Sequence, residues 1–213
     1  MSKKEEIYPY VEKLGWVIHP IYNKVPSTKG WNKPETITKE NCMNLMNSHC
    51  NIGLLCGKKS GVIVLDIDVL TPEEDRNKLV CGKEEWERLV KIHNEPLTVK
   101  SSTERGFHLF FKYDERIKSG NRCRETKDGK KIKWDLFSDK VVASTKELGS
   151  STVTIPHPNK KENKYEWIRS PFEYPILPFP DWLLELLPKN EIIKKINLTP
   201  LKIIRVPVPP RHV

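Results

Sequence analysis

Residues 61–68 read Gly61-Val62-Ile63-Val64-Leu65-Asp66-Ile67-Asp68, which is the strongest strand pattern in this 213-residue chain. An unbroken aliphatic and β-branched run of this length is typical of a β-strand. Residues two apart in a strand share a face, so Asp66 and Asp68 should project together, about 7 Å apart at Cα, while Ile67 points into the core. The stretch therefore predicts a core strand that ends in two carboxylates.

Helical and strand patterns are mixed along the rest of the chain. Helices are expected at Ile7–Leu14, Thr38–Asn47, Pro72–Ile92 and Trp182–Leu187, with an interruption of the third near Cys81-Gly82 as an alternative. Strands are expected at Trp16–Pro20, Ile52–Cys56, Leu97–Lys100, Phe107–Tyr113 and Tyr165–Ile168, with a hairpin of Ile132–Phe137 and Val141–Ala143 around Ser138-Asp139. This mixture in one compact unit predicts an α+β fold, or its two-layer α/β relative.

The composition argues against several classes of protein. Hydrophobic residues make up 37% of the chain and charged residues 31%, but six Trp and six Phe argue against disorder. No apolar stretch approaches the roughly 18 residues of a membrane span, and the start does not lead into an apolar signal region. Five cysteines without a C-x-x-C pair favour a reducing, intracellular compartment over a disulfide framework.

The net charge of +9 is concentrated in two segments. Residues 112–133 carry nine Lys or Arg against four Asp or Glu, and residues 189–213 carry six against one, so each segment has a net charge of +5. Two basic segments on a nearly neutral body are typical of a protein that binds a polyanion. The alternative is a solvated, lysine-rich surface.

The first candidate for chemistry is the pair Asp66 and Asp68. Two carboxylates at the end of an apolar strand are costly unless a cation lies between them, and Mg²⁺ and Mn²⁺ favour carboxylate oxygens. The D-x-D pattern alone is weak, because it also occurs in glycosyltransferases, phosphatases and nucleases, and by chance at strand ends. It predicts a metal site only together with further residues.

The next candidate follows in residues 100–111, where a polar, glycine-containing turn enters an apolar strand. Alternation places Phe107 and Leu109 on the core face and His108 on the other. A lone histidine in a strand is more often structural. Here, however, it follows hydroxyl groups, Arg105 and a glycine, whose donors can hold phosphate oxygens.

A third acid lies in Lys133-Trp134-Asp135-Leu136-Phe137. Trp134 should face the core, so Lys133 and Asp135 share the opposite face. Three aspartates at strand ends, one histidine and nearby cations suit two-metal phosphoryl or nucleotidyl transfer.

In this order the motifs resemble the primase–polymerase domain of the archaeo-eukaryotic primase superfamily, in the version found in plasmid and large-DNA-virus primases. The resemblance covers about Gly15 to Leu187. Residues 51–68 resemble the first catalytic motif, Thr103–Phe111 the second, and Asp135 with Val141-Val142-Ala143 the third. The chain departs from the family pattern at Glu104-Arg105, where glycines are usual, and after Ala143, where Pro-Pro-Ser is absent.

The resemblance implies an RRM-like sheet that carries the acids, an N-terminal αβ module and an active site in the groove between them. It implies nucleotidyl transfer from dNTP or NTP substrates, directed by a single-stranded DNA template, in the replication of a virus or plasmid. Asp66, Asp68 and Asp135 would hold two Mg²⁺ or Mn²⁺ ions. His108 would hold the triphosphate, with Arg105 and Lys133 as further phosphate candidates.

The basic segment beside the third acid supplies the candidate DNA contacts, which are Arg122, Arg124, Lys127, Lys130 and Lys131. The catalytic domain is expected to span residues 1–188. The basic, proline-rich residues 189–213 are expected to be a tail or a linker toward a helicase-like module. Two other classes of protein fit the same residues: a non-catalytic single-stranded DNA-binding domain and a metal-dependent nuclease.

Overall fold

The computed structural model describes residues 3–33, 35–46, 50–141, 148–157 and 164–187. Its helices are α1 (Lys3–Glu12), α2 (Cys42–Leu45), α3 (Gly82–His93) and α4 (Asp181–Leu184). Its strands are β1 (Ile18–Tyr22), β2 (Val25–Pro26), β3 (Asn51–Leu55), β4 (Val62–Asp68), β5 (Leu79–Val80), β6 (Lys100–Ser102), β7 (Gly106–Lys112), β8 (Arg124–Glu125), β9 (Lys131–Ile132), β10 (Trp134–Phe137), β11 (Asp139–Val141), β12 (Leu148–Ser150), β13 (Thr152–Ile155) and β14 (Trp167–Arg169). This mixture confirms the α+β class.

The centre of the fold is a five-stranded antiparallel sheet in the order β10-β4-β7-β6-β14. Its β4 strand is the aliphatic run of residues 62–68, which ends in Asp66 and Asp68. β4 pairs with β7 along its whole length, from Val62 opposite Lys112 to Asp68 opposite Gly106. The predicted alternation is confirmed, since Ile67 is fully buried while Asp66 and Asp68 lie on the other face.

The two faces of the central sheet pack against different parts of the chain. One face meets α3 and the C-terminal residues in a cluster that includes Ile63, Leu65, Ile67, Trp86, Leu89, Leu109, Trp134, Leu183 and Leu187. The other face meets the N-terminal region in a cluster that includes Val62, Val64, Phe110, Ile7, Tyr10, Trp16, Ile52, Leu54 and Val153. Burying one such side chain contributes about 1.5–3 kcal/mol, so the central sheet is anchored from both sides.

A second, four-stranded sheet in the order β13-β3-β1-β2 forms the N-terminal module. Its β3 strand lies between β1 and β13 and is antiparallel to both. Because β13 comes from residues 152–155, a late segment of the chain completes this module. Among the described residues, no helix is long and apolar enough to cross a bilayer.

The predicted hairpin around Ser138-Asp139 is wrong. β10 pairs with β4, whereas β11 pairs with β12. Asp139 is buried and accepts hydrogen bonds from the Tyr113 hydroxyl at 2.6 Å and the Lys58 backbone N–H at 3.0 Å, which draws the chain away from β10. Of the predicted partner strand, residues 142 and 143 lie outside the described residues.

The helix predicted from Pro72 is also wrong in its first half, because α3 begins only at Gly82. Residues 72–81 form turns and the short strand β5, which pairs with β9. A Cβ at Gly82 would lie 2.3 Å from the Lys133 carbonyl oxygen, just before β10, so only glycine fits at the first residue of α3. The other predicted helices at Thr38 and Trp182 shrink to single turns in α2 and α4.

Candidate active site

The predicted acids and the histidine lie in one row across three neighbouring strands. Asp66 on β4 is directly opposite His108 on β7 and directly opposite Asp135 on β10. Directly opposed residues of an antiparallel sheet point to the same face, and Asp68 shares that face because it is two residues from Asp66. The fold therefore brings these four residues together at one end of the sheet face that meets the N-terminal module.

The side chains of His108, Arg105 and Lys133 lie beside the two acids of β4. The His108 Nε2 lies 3.5 Å from the Asp66 Oδ1, and the histidine side chain is buried. The Arg105 Nη2 lies 3.4 Å from the Asp68 Oδ2, and the Lys133 Nζ lies 3.9 Å from the same oxygen. The sequence-predicted phosphate ligands Arg105 and Lys133 thus stand beside the acids.

Lys133 has a second anionic neighbour. Its side chain is only 7% exposed, and its Nζ lies 2.9 Å from the Glu74 Oε2 and donates to the Val69 carbonyl oxygen at 3.1 Å. The hydrogen bond from Lys133 lowers the pKa of Glu74. Lys133 is therefore held in place between Glu74 and Asp68.

The third acid, Asp135, accepts a hydrogen bond from the loop before β8. The Arg122 backbone N–H donates to the Asp135 Oδ1 at 2.6 Å, from a residue with a positive φ of 48°. The Arg122 side chain itself is exposed.

Burial and mutual repulsion both oppose ionisation of two of these carboxylates. Burial raises the pKa of Asp68, and the neighbouring charge of Asp66 raises it further, against the opposing effects of Arg105 and Lys133. Burial also raises the pKa of Asp135, where the Arg122 N–H lowers it and the Asp66 charge raises it. Adding a cation among these three acids would relieve both effects.

The donor set fits a divalent cation by its chemistry. Carboxylate oxygens are the ligands that Mg²⁺ and Mn²⁺ favour. In the described part of the chain, the Asp66 Oδ1 and His108 Nδ1 atoms are buried without a hydrogen-bond partner, as is common where a ligand or ion belongs. The same part of the chain contains no preformed group of three or more His, Cys, Asp or Glu side chains around a metal position. Asp68 faces Arg105 and Lys133 instead.

The strand that carries His108, β7, begins at a glycine that lies very close to β4. Gly106 is opposite Asp68, and a Cβ at this position would lie 1.8 Å from the Ile67 carbonyl oxygen. Only glycine allows the turn to approach β4 so closely. Although Glu104 and Arg105 stand where the resemblance leads one to expect glycines, the residue that this contact requires is present.

A comparison with known families decides the identity of this arrangement. A family model described as "Bifunctional DNA primase/polymerase, N-terminal", or Prim-Pol, matches residues 8–182. The chain belongs to the Prim-Pol family. The matched range includes Asp135, Asp66 and His108, and it confirms the primase–polymerase domain that the motifs indicated. A search of curated proteins finds no significant match.

The Prim-Pol chain has a cleft of about 190 Å³ above the acids, lined by Lys24, Asp66, Asp68, Thr103, Glu104, Arg105, His108 and Tyr165. Sequence reasoning missed Lys24 and Tyr165 as site residues. Lys24 comes from the turn between β1 and β2, and the Tyr165 ring lies 6.0 Å from the His108 ring. The only local signals were a lysine in a loop and a tyrosine at the start of an expected strand, and both are common at many surface positions.

The predicted DNA contacts are distributed unevenly around this site. Arg122 and Lys127 are exposed. Lys130 lies 3.8 Å from Asp128, and Lys131 forms an ion pair with Glu125. The Arg124 guanidinium lies 2.7 Å from Glu85 and 5.2 Å from the centre of the Trp134 ring, so its side chain packs against α3 and the core.

Proposed function

We propose that this Prim-Pol chain is a DNA primase/polymerase that catalyses template-directed nucleotidyl transfer on single-stranded DNA. The observation that supports this most strongly is the cross-strand row of Asp135, Asp66 and His108, with Asp68 on the same face. Three acids beside a basic, buried histidine match what transfer of a nucleotide from its triphosphate needs.

Asp66, Asp68 and Asp135 are the proposed ligands of two Mg²⁺ or Mn²⁺ ions. When bound, such ions neutralise phosphate charge and make the attacking primer hydroxyl more acidic. The chain itself contributes the scaffold: Lys133 and the Arg122 N–H hold Asp68 and Asp135 in position.

His108 and Arg105 are the proposed contacts to the triphosphate. The buried His108 ring lines the cleft, and Arg105 lines it from the loop before β7. Both can donate hydrogen bonds to phosphate oxygens. Lys133, also proposed at first for phosphate binding, has contacts that favour orienting Asp68 over direct contact with the nucleotide.

Arg122 and Lys127 are the proposed template contacts with the best exposure, with Lys130 and Lys131 beside them. Their segment leads directly into β10, which carries Asp135, so a template bound there would run past the acids. Phosphate contacts of this kind carry no sequence preference and are sensitive to salt.

The biological setting is also part of the proposal. The motif order resembles primases of plasmids and large DNA viruses that are joined to a helicase, so residues 1–188 are proposed as the catalytic domain. Residues 189–213 are proposed as the link to a helicase-like module. Because they carry a net charge of +5, their removal should lower DNA affinity more than primer extension.

One experiment separates the three functional classes. The chain is incubated with a primed single-stranded template, Mn²⁺ and labelled dNTPs, and the products are resolved by length. Template-dependent extension supports the proposal. Shortened DNA would indicate a nuclease instead, and binding without any change in DNA length would indicate a non-catalytic DNA-binding domain.

A further inference from the structure

Lys24 has a backbone conformation that lysine seldom adopts. β1 and β2 are joined by the two-residue turn Asn23-Lys24, with Tyr22 opposite Val25 and φ angles of 47° and 66° at the two turn residues. Positive φ at both positions defines a type I′ turn, in which the second position normally holds glycine. Backbone strain at a non-glycine residue is common at functional sites. The Lys24 side chain reaches the candidate active site.

The Lys24 side chain crosses the groove between the two sheets. Its turn belongs to the N-terminal sheet, and its Nζ donates to the Glu104 Oε2 at 2.7 Å, on the loop between β6 and β7 of the central sheet. Glu104 forms a second ion pair, with Lys164. Lys24 also lines the cleft that contains Asp66 and His108. Two lysines therefore converge on one carboxylate at the side of the proposed nucleotide site.

The ion pairs of Lys24 and Lys164 with Glu104 can be broken at a small cost in free energy, so another anion can replace Glu104. The side chain of Lys24 is 58% exposed and that of Glu104 is 35% exposed, and ion pairs in contact with water contribute little to stability. Hydrogen bonds from Lys164 and Lys24 lower the pKa of Glu104 to about 2, so the carboxylate is charged at neutral pH. A triphosphate carries several negative charges in place of one, and it offers more acceptor oxygens to the same ammonium groups.

We propose that Lys24 binds the triphosphate of the incoming nucleotide, and that Glu104 is the intramolecular anion that the triphosphate replaces on Lys24 and Lys164. The inference rests on the proposed function and adds three residues to it, of which Lys24 and Glu104 are tested. It makes opposite predictions for them: the lysine increases affinity for the triphosphate, and the glutamate competes with the triphosphate and decreases that affinity.

The test is calorimetric titration of the full chain with dATP and, separately, dAMP in Mg²⁺ buffer, without DNA. Lys24→Gln should weaken dATP binding about tenfold and change dAMP binding less than about twofold, because only dATP carries the distal phosphates. Glu104→Gln should tighten dATP binding a few-fold. Lys13→Gln is the matched control: it neutralises an exposed lysine of the N-terminal region that does not line the cleft, and should change neither.

Lys24→Gly separates a binding role from a structural one. Glycine relieves the positive φ, so this variant should unfold at a higher temperature while binding dATP as weakly as Lys24→Gln. Wild-type dATP affinity in both Lys24 variants would overturn the role of Lys24 and leave the proposed function standing. Weaker dATP binding by Glu104→Gln would overturn the replacement of Glu104 by the triphosphate. A wild-type chain that does not bind dATP would overturn the proposed function, and this inference with it.

Discussion

One face of the central sheet has two ends of opposite character. At one end, Val64 and Phe110 are completely buried beneath the N-terminal module, where Trp16 stacks on Phe110. At the other end, the side chains of Asp66 and Asp68 are 20% and 21% exposed and line a cleft. The strands are continuous between the two ends, so the change in residue type follows the change in what covers the sheet.

This comparison shows how a very apolar strand can present charged groups. The covered end anchors β4 by packing, and a charge there would be costly without a partner. At the cleft end the same strands continue, but the N-terminal module no longer covers their face. The carboxylates there remain accessible to solvent and ligands. Function and stability should therefore separate along a single strand.

The largest expected effect is on catalysis at the cleft end. Asp66→Asn should reduce primer extension by about 10³-fold or more, because it removes one of the three proposed metal ligands without changing side-chain volume. The thermal unfolding midpoint should fall by no more than a degree or two. Rates of labelled dNTP incorporation and a thermal melt measure the two quantities, with Asp75→Asn on an exposed turn as control. Extension at the wild-type rate would remove Asp66 from the site.

The complementary change at the covered end should affect stability. Phe110→Ala removes a fully buried ring and should lower the free energy of unfolding by about 3–5 kcal/mol. Urea unfolding followed by tryptophan fluorescence measures this loss. If the variant keeps wild-type stability but loses activity, the division of the sheet face into an anchoring end and a reactive end is wrong.

A third prediction concerns the basic segment. Replacing Arg122, Lys127 and Lys130 with Gln should lower the salt dependence of single-stranded DNA binding by about two to three in log–log slope. Fluorescence anisotropy of a labelled oligonucleotide over a range of KCl concentrations gives that slope. Arg124→Gln should instead reduce stability and leave the slope unchanged, because its guanidinium contacts Glu85 and Trp134. An unchanged slope in the triple variant would mean that the template binds elsewhere.

The smallest expected effect is a gain in stability at the cleft end. The pKa of Asp68 is raised in the folded protein, so the folded state binds its proton more tightly than the unfolded state does. This contribution to stability is therefore lost as the pH rises through the raised pKa, and the ionised form destabilises the fold at neutral pH. Asp68→Asn should unfold at a slightly higher temperature at pH 7, and at pH 4 the gain should shrink. A lower midpoint at pH 7 would show that the Arg105 and Lys133 contacts outweigh burial.

Much of the cleft end could be predicted because its signals are local. Alternation within residues 61–68 is enough to place Asp66 and Asp68 on one face, and the same rule places Lys133 with Asp135. The motif order was enough to indicate the family. Local patterns of this kind depend only on side-chain periodicity, which the sequence displays directly.

The remaining features depend on contacts between distant segments. Nothing near Asp135 shows that β10 pairs with β4 rather than with the strand that follows it, and the buried contacts of Asp139 join segments that are distant in the sequence. The contact of Lys24 with Glu104 is likewise set by how two sheets face each other. Arg124 looks like any other basic residue of its segment until its packing against Trp134 is known.

The most direct test of the central claim is Mn²⁺ binding by the acids at the cleft end, measured by electron paramagnetic resonance with dATP present. The wild-type chain should bind Mn²⁺. Asp66→Asn and Asp68→Asn should each lose most of that binding while remaining folded. The covered-end variant Phe110→Ala, measured where it is still folded, should keep it. Equal Mn²⁺ uptake by the wild type and Asp66→Asn, or no uptake by the wild type, would contradict the assignment of this end of the sheet as the catalytic site.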